Sequence, residues 1–317
     1  MEQIIAQRRE AEEALRFAAT VAHGGASPSE ELARRAREVA ADAGSLPGPL
    51  AQGLLEQLLL GPRVDEGLEW LQQAGLLAVL LPELEATVGF TQEMGRRHKD
   101  VWKHTKQVVA QSAPLPAVRW AALLHDVGKV PTRGSTPDGK VTFHGHPEVG
   151  ARMFDRLTKR LPFPSALRTR VRFLILHHQR ANSYASGWTD SAVRRFAREM
   201  GESLDELVLL ARADITSARQ EKRDQAARQI DELVERIRVI RELDAQRPPL
   251  PSGIGDVLME KYALPPGRWI GDLKRELEAA IDRDELEPHQ EASYYVEHLE
   301  RTGRAEALRA DAAKAPR

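Results

Sequence analysis

The sequence predicts an all-α protein, and three observations support this. Ala, Leu, Arg and Glu, which favour helix, are its dominant residues. Runs of alternating β-branched residues are few, so little sheet is expected. Apolar residues recur at helical spacing: residues 8–23 place on one side Ala11, Leu15, Phe17, Ala18 and Val21. A helix over residues 8–23 is therefore the first predicted element.

Composition limits the classes of function. The chain has 317 residues, which is long for one core and predicts two or three domains. Because the net charge is only −1, the chain as a whole does not attract nucleic acid, and any RNA binding would require a local basic face. With no cysteine, the chain has no disulfides, thiolate nucleophiles or cysteine-ligated zinc. We expect a cytoplasmic protein without membrane contact, because no stretch is apolar enough to span a bilayer and the acid-rich N-terminus is unlike a signal peptide.

The next elements before residue 90 are also helices. The segment GGASPSEEL ends the first helix, and it predicts Ser27 as the N-cap and Pro28 as the first position of the second. Pro82 is expected to close this region. The predicted helices here lie within residues 31–43, 49–61 and 64–81.

The remaining elements alternate between helices and two breaks. A stretch rich in Gly, Pro, Ser and Thr at 131–151 predicts a loop, although it carries two histidines, and residues 244–255 predict a linker. A polar tail ends the chain. The predicted helices lie at 94–112, 117–130, 147–161, 165–180, 189–200 and 203–243, with more helix after the linker.

Seven of the ten histidines lie between residues 98 and 178. A single histidine is usually a surface or hydrogen-bonded core residue, but these seven occupy several predicted elements. Neutral imidazole is the commonest metal ligand, and a hard divalent ion also prefers carboxylate oxygen. Asp126 and Asp214 each follow an apolar helical run, where a charge is costly unless it is paired or coordinated. The histidines are His98, His104, His125, His144, His146, His177 and His178.

The segment LLHDVGK, residues 123–129, is the centre of this pattern. On a helix, His125 and Asp126 point about 100° apart. They can converge on one ion, or Asp126 can bridge two ions while His125 binds one. Lys129, about one turn further, suits a phosphate as a point charge, or it is a solvated lysine near a helix C-terminus. Both pairs of alternatives stay open.

The order of His104, His125-Asp126 and Asp214 resembles the H…HD…D signature of HD-domain metal-dependent phosphohydrolases. His146 and the pair in LHHQR resemble the version with additional histidines, which holds two metals. RRHKDVWKHTKQVV, RWAALLHDVGK and FHGHPEVGA resemble the HD domain of bacterial CCA-adding tRNA nucleotidyltransferases. EALRFAATVA upstream and PSGIGDVLMEKYALPPGRWIGDLKRELEAAIDRDEL downstream resemble that family's helical parts. The implied regions are a helical neck and body (1–90), an HD domain (91–220) and a C-terminal helical tail (221–317).

The resemblance implies a site and a reaction. The first ion would be bound by His104, His125, Asp126 and Asp214, and a second by Asp126, His146 and His178, with His177 as an alternative to His178. Water activated by one or two divalent ions (Mn, Fe, Ni, Co, Zn or Mg) would hydrolyse a phosphoester, with Asp126 and Lys129 as catalytic residues. The expected substrate contacts are Lys129, His98, His144 and Arg180.

The implied substrates are nucleotides or RNA 3′-end phosphates, including tRNA, without DNA readout. In the family the associated activities are 2′,3′-cyclic phosphodiesterase, 2′-nucleotidase and phosphatase. Residues 148–199 hold eleven Lys or Arg against four Asp or Glu, which predicts either a basic face for RNA or a solvated helix surface. The family's nucleotidyltransferase head is expected before residue 14, and its glycine loop and paired carboxylates are not found. Two alternatives stay open: an RNA-binding accessory protein and half of a split nucleotidyltransferase.

Overall fold

The computed structural model describes residues 2–91, 100–246 and 248–304. The all-α prediction is confirmed. These residues form eighteen α-helices and two short 3-10 helices, with one antiparallel hairpin whose two strands have two residues each. The chain divides into two compact units, one of Met1–Tyr184 with Glu202–Ile230 and one of Ala185–Gly201 with Asp231–Arg317. The three-part division at residues 90 and 220 stays a prediction. None of the helices in the described residues is long and apolar enough to cross a membrane.

The first unit contains most of the helices and the hairpin. Its helices are α1 (Glu2–Ala22), α2 (Glu30–Val39), α3 (Gly48–Leu59), α4 (Val64–Gln73), α5 (Leu76–Leu80), α6 (Pro82–Glu85), α7 (Val101–Gln111), α8 (Pro116–Leu124), α9 (Lys129–Thr132), α10 (His146–Leu157), α11 (Ser165–His177), α12 (Gln179–Asn182) and α14 (Leu204–Ala213). Strands β1 (Gly134–Ser135) and β2 (Val141–Thr142) pair between α9 and α10. The 3-10 helix Ala40–Ser45 lies in the first unit, and the 3-10 helix Gly201–Ser203 spans the boundary between the two units in sequence.

The second unit has its own apolar core. Its helices are α13 (Asp190–Met200), the part of α15 (Gln220–Gln246) that follows Ile230, α16 (Ile254–Tyr262), α17 (Arg268–Asp282) and α18 (Ala292–Arg301). Leu258, Leu273, Leu277 and Tyr295 form the centre of this core. Burying such a cluster is the main source of stability for a unit of this size.

Three predicted boundaries before residue 90 were wrong. Helix α2 is capped by Ser29 and not by Ser27, because the Ser29 side chain accepts a hydrogen bond from the backbone N–H of Leu32 at 3.3 Å. The predicted helix 64–81 is two helices, since Gly75 has a φ of +72°. Pro82 begins α6 and does not close the region, as its ring suits a first helical turn.

After residue 90, several helix boundaries differ from the predicted ones near the predicted metal ligands. Helix α8 ends at Leu124, the predicted loop 131–151 contains the hairpin, and α10 already begins at His146. The predicted helix 203–243 is interrupted between Ala213 and Gln220. Of the predicted helix 94–112, the structure shows only the part from Val101, and residues 94–99 and the polar tail lie outside the described residues.

Helix α8 positions the predicted metal ligands His125 and Asp126, which directly follow it. Every residue of α8 after Pro116 is buried, and the helix packs against α3, α7, α11 and α14. Apart from Arg119, the buried residues of α8 are apolar, and a helix that is buried on all sides belongs in the middle of a bundle. Its C-terminal end, and the residues that follow it, are therefore surrounded by the neighbouring helices.

Candidate metal centre

The site lies where several helices of the first unit begin or end. His104 is in the first turn of α7, and His125 is the C-terminal cap of α8, with Asp126 next. His146 begins α10. His178 lies between α11 and α12, and Asp214 is the C-terminal cap of α14. Helix ends place polar side chains at the edge of an apolar core without breaking the helices that build it.

The two carboxylate oxygens of Asp126 face two different pairs of histidines. Asp126 Oδ2 lies 3.4 Å from His104 Nε2 and 3.3 Å from His125 Nε2. Asp126 Oδ1 lies 3.5 Å from His146 Nε2 and 3.9 Å from His178 Nε2. We call His104, His125, Asp126 and Asp214 the first ligand group, and Asp126, His146 and His178 the second. Asp126 belongs to both, so it is placed to bridge two cations.

The imidazole rings are held so that Nε2 points into the site. His125, His146 and His178 contact, through Nδ1, the carbonyl oxygen three residues earlier, at 2.9, 2.9 and 2.8 Å. A carbonyl oxygen only accepts, so Nδ1 carries the hydrogen and Nε2 of a neutral ring carries a lone pair. His104 Nδ1 lies 3.0 Å from the hydroxyl oxygen of Thr216. Such partners fix the orientation of metal-ligating histidines in proteins.

The Nε2 atoms also face one another. His104 Nε2 lies 3.2 Å from His125 Nε2, and His146 Nε2 lies 3.2 Å from His178 Nε2. Two lone pairs at this distance repel unless a proton or a cation lies beside them. Nitrogen ligands at 2.0–2.1 Å from a tetrahedral cation are roughly 3.3 Å apart. The donor set and its spacing therefore fit a divalent metal ion in each group.

Asp214 adds a second carboxylate to the first ligand group. Its Oδ1 lies 3.1 Å from His104 Nε2 and 3.7 Å from His125 Nε2. Burial opposes the charge of Asp214, but the hydrogen bond with His104 and the charge of His125 hold its pKa below its ordinary value. Asp214 is therefore an anionic oxygen donor directed at the same nitrogens as Asp126 Oδ2.

The charges of the two groups differ. Burial opposes ionisation of Asp126, yet His125, Lys129 and His104 hold the pKa of its carboxyl well below the ordinary value. Burial also opposes the charge of His125, but Asp126 and Asp214 raise its pKa to about 8. Burial lowers the pKa of His178 to about 4, with a further contribution from the charge of His125. The first group thus attracts positive charge strongly, and the second presents a neutral His178.

Lys129 and Gly128 complete the centre. Lys129 Nζ lies 2.6 Å from Asp126 Oδ2 and 5.7 Å from the centre of the Phe143 ring. Gly128 has an ordinary helical φ of −67°, but a Cβ built on it would lie 2.1 Å from the carbonyl oxygen of His146. The absence of a side chain here lets the backbone of α10 approach the end of α8, which brings His146 to Asp126.

Of the other predicted site residues, those that the structure describes are not part of either ligand group. The half-buried His177 packs its ring 4.3 Å from that of Phe173, centre to centre, on α11. His144 is exposed, and Arg180 is half-buried on α12. His98 lies outside the described residues. The roles of His177, His144, Arg180 and His98 therefore stay predictions.

The contacts of Thr216 with His104 and of Gly128 with the backbone of His146 were not predicted from the sequence. Thr216 follows Asp214 by two residues, and its position just after the end of an apolar helix is the one signal that pointed to it. Nothing in the sequence pairs Thr216 with His104, which is 112 residues away. The contact between Gly128 and the backbone of His146 likewise depends on tertiary packing.

Much of the basic stretch 148–199 is engaged in ion pairs. Arg170 pairs with Glu206, and Arg168 and Arg172 both approach Asp155. In the second unit, Arg194 pairs with Asp244 at 2.7 Å and Arg198 with Asp282 at 2.5 Å. These arginines have carboxylate partners within the protein, which favours a helix surface with internal ion pairs over a basic face for RNA. The list of pairs is Arg168–Asp155, Arg170–Glu206, Arg172–Asp155, Arg194–Asp244 and Arg198–Asp282.

The chain is similar to several known proteins. Residues 88–219 match the family model described as HD domain. The A-adding tRNA nucleotidyltransferase of Deinococcus radiodurans is 36% identical over 82% of this chain and 62% of its own length. The CC-adding tRNA nucleotidyltransferase of Thermus thermophilus is 37% identical over 66% of this chain and 49% of its own. The multifunctional CCA protein of Vibrio campbellii is 34% identical over 48% of this chain and 38% of its own length. The chain thus spans less than two thirds of the length of these relatives.

Proposed function

We propose that this chain hydrolyses phosphoesters of nucleotides or RNA ends with the help of divalent metal ions. Two similarities support the proposal: residues 88–219 match the HD-domain family model, and the chain resembles bacterial tRNA nucleotidyltransferases along most of its length. The observation that carries the proposal is Asp126, whose two oxygens each face a pair of imidazole nitrogens. A carboxylate shared by two such groups is typical of centres that act on phosphoryl groups.

The residues present fit this chemistry. Divalent ions at the two groups would supply positive charge to a phosphoryl group and make a water molecule more acidic. Asp126 and Asp214, with lowered pKa values, are ionised near neutral pH and offer anionic oxygens. Lys129 adds a fixed positive charge beside Asp126 Oδ2, where it favours a phosphoryl group as its negative charge develops. The reaction needs no nucleophilic side chain.

The substrate class is the finer part of the proposal. Two of the relatives are tRNA nucleotidyltransferases, which supports an RNA end or a nucleotide as substrate. Within this class we propose 2′,3′-cyclic phosphodiesterase, 2′-nucleotidase and phosphatase activities. The preferred ion among Mn, Fe, Ni, Co, Zn and Mg depends on the donors and their geometry.

The test is hydrolysis by the purified chain with a matched carboxylate control. We would measure metal content and then assay 2′,3′-cyclic AMP, 2′-AMP and p-nitrophenyl phosphate with Mn²⁺, Ni²⁺, Co²⁺ and Mg²⁺. Asp126→Asn should abolish turnover, whereas Asp272→Asn, at an exposed aspartate of the second unit, should not change it. A wild-type protein that hydrolyses none of the three, or an Asp126→Asn variant of equal activity, would overturn the proposal.

Two further assays with the same proteins test the two alternatives. Binding of tRNA without hydrolysis, unaffected by Asp126→Asn, would indicate an accessory RNA-binding protein. Incorporation of cytidine or adenosine into tRNA in the presence of a separate head subunit would indicate part of a split nucleotidyltransferase.

A further inference from the structure

A cavity of about 230 Å³ adjoins the first ligand group on the side of Asp214. Its walls come from α12, from the segment after α14 and from the first turns of α15, all within the first unit. The ligand groups do not account for this cavity, because among its lining residues only Asp214 belongs to them.

Asp214 separates the cavity from the metal centre. Its Oδ1 faces His104 Nε2 at 3.1 Å, while its Oδ2 lies 3.5 Å from the side-chain amide nitrogen of Asn182, which lines the cavity. Thr216 also lines the cavity, and its hydroxyl oxygen contacts His104 Nδ1 at 3.0 Å. A molecule in this cavity would therefore lie against the residues that hold the first group.

The lining is polar on one side and apolar on the other. Asn182, Thr216, Ser217 and Gln229 offer hydrogen-bond donors and acceptors without a net charge. The remaining wall is aliphatic, with Ala226 among its residues. A sugar with its base has both kinds of surface, whereas a bare phosphate or a metal ion has neither an apolar face nor a need for one.

The size of the cavity limits its occupant. Pockets for drug-sized ligands hold about 300–1,000 Å³, so 230 Å³ suits one compact group. It does not accommodate a run of bases. Among its lining residues there is no aromatic ring on which successive bases could stack. The dimensions thus favour a single nucleoside at the end of a chain or in a free nucleotide.

Lys222 gives the cavity its positive charge. It lies on α15, its side chain is exposed, and no ion pair or hydrogen bond to another described residue is found for it. An exposed ammonium group at the mouth of a cavity binds a phosphate as a point charge.

We propose that this cavity, the nucleoside pocket, binds the terminal nucleoside of a substrate whose scissile phosphate lies at the metal centre, and that Lys222 contacts the next phosphate of an RNA chain. The inference rests on the proposed phosphohydrolase function and specifies its substrate. A free nucleotide and an RNA end share the nucleoside, but only the RNA end has the phosphate that reaches Lys222.

The experiment compares three substrates: p-nitrophenyl phosphate, 2′,3′-cyclic AMP and the dinucleotide ApA ending in a 2′,3′-cyclic phosphate. Ala226→Phe, which fills the nucleoside pocket, should lower the ratio of kcat/KM for cyclic AMP to that for p-nitrophenyl phosphate by at least about tenfold. Lys222→Met should lower the ratio of kcat/KM for the dinucleotide to that for cyclic AMP by about tenfold, the loss of one charged hydrogen bond. Arg228→Met, an exposed change six residues further on α15 and outside the cavity, should alter neither ratio.

The outcomes separate this inference from the function on which it rests. No hydrolysis of any substrate by the wild type would overturn the proposed function. Hydrolysis with an unchanged nucleotide ratio in Ala226→Phe would overturn the nucleoside pocket alone. An unchanged dinucleotide ratio in Lys222→Met would overturn the RNA-end assignment, and because Lys222 is exposed, that variant is not expected to affect folding. Binding of 2′-AMP to the metal-loaded variants, measured by calorimetry, should follow the cyclic AMP ratios and would contradict the pocket if Ala226→Phe bound as tightly as wild type.

Discussion

The two ligand groups share Asp126 but differ in charge and exposure. The first group has two carboxylates, and its His104 and Asp214 side chains are 16% and 21% exposed. The second has one carboxylate oxygen and two histidines whose side chains are 5% and 3% exposed. The nucleoside pocket adjoins only the first. We therefore expect the first group to contact the substrate, and the second group to hold Asp126 in place from the buried side.

The difference also predicts different affinities. Anionic oxygen donors favour hard ions and add Coulomb attraction, so the first group should bind its ion more tightly. The second group offers two neutral nitrogens and one oxygen, a set that satisfies a cation less completely. We therefore expect metal removal by a chelator to empty the second group before the first.

The largest effect is expected for Asp126→Asn, because it alone changes both groups. The amide keeps the shape of the side chain but removes its charge, which leaves four imidazole nitrogens without their shared anion. We expect the bound metal to fall below one ion per two chains and turnover to drop by about 10³-fold or more. Metal analysis after gel filtration and the rate with 2′,3′-cyclic AMP measure the two effects. One tightly retained ion would contradict the shared role of Asp126.

The next largest effect is expected for His178→Ala, which should change the second ligand group and not the first. His178→Ala should remove one ion per chain and keep the other, because His178 belongs to the second group alone. His177→Ala is the matched control, since its ring packs on Phe173 and not on Asp126. We expect metal content and turnover to stay within about twofold of wild type in the control. If instead His177→Ala lost the ion and His178→Ala kept it, the assignment of the pair would be reversed.

These predictions show what the sequence could and could not provide. The order of His104, His125-Asp126, His146, His178 and Asp214 led to the candidate ligands, because histidine and aspartate are metal-ligating residue types and this order resembles that of the HD-domain family. The all-α fold followed from composition and periodicity. Which histidine of the pair 177–178 turns inward depends on how α11 is rotated in the bundle, and the weak amphipathic pattern of that helix does not determine the rotation.

Details of packing were less predictable. The interruption after Asp214 was missed because the residues up to 243 continue a helical pattern, yet it frees Thr216 to reach His104. Pro82 was read as a terminator although proline also begins helices. Gly128 is constrained by the backbone of His146, which lies further along the chain and approaches it only in the folded protein. Local signals carry no information on such contacts.

Gly128→Ala should affect the second group more than the first. The added Cβ would overlap the carbonyl oxygen of His146, so α10 must move away from Asp126. We expect the free energy of unfolding to fall by about 1–3 kcal/mol, as for overpacked sites, and the second ion to bind more weakly. Gly53→Ala is the control, because nothing lies within 4 Å of the Cβ built there. Thermal unfolding measures the loss of stability, and metal titration measures the affinity for the second ion. An unchanged affinity for the second ion would show that α10 adjusts without moving His146.

The smallest effect is expected for Thr216→Val, which acts only on the first group. Valine keeps the branched shape but removes the hydroxyl that contacts His104 Nδ1, so the ring loses the partner that fixes its orientation. Loss of such a partner typically weakens metal binding by about 10–100-fold. Competition with a chelator should show this loss for the tighter ion, with the weaker ion unchanged. Thr216→Ser, which restores the hydroxyl, should recover most of the affinity. A serine variant as weak as valine would mean that the methyl packing of Thr216, and not its hydrogen bond, holds His104 in place.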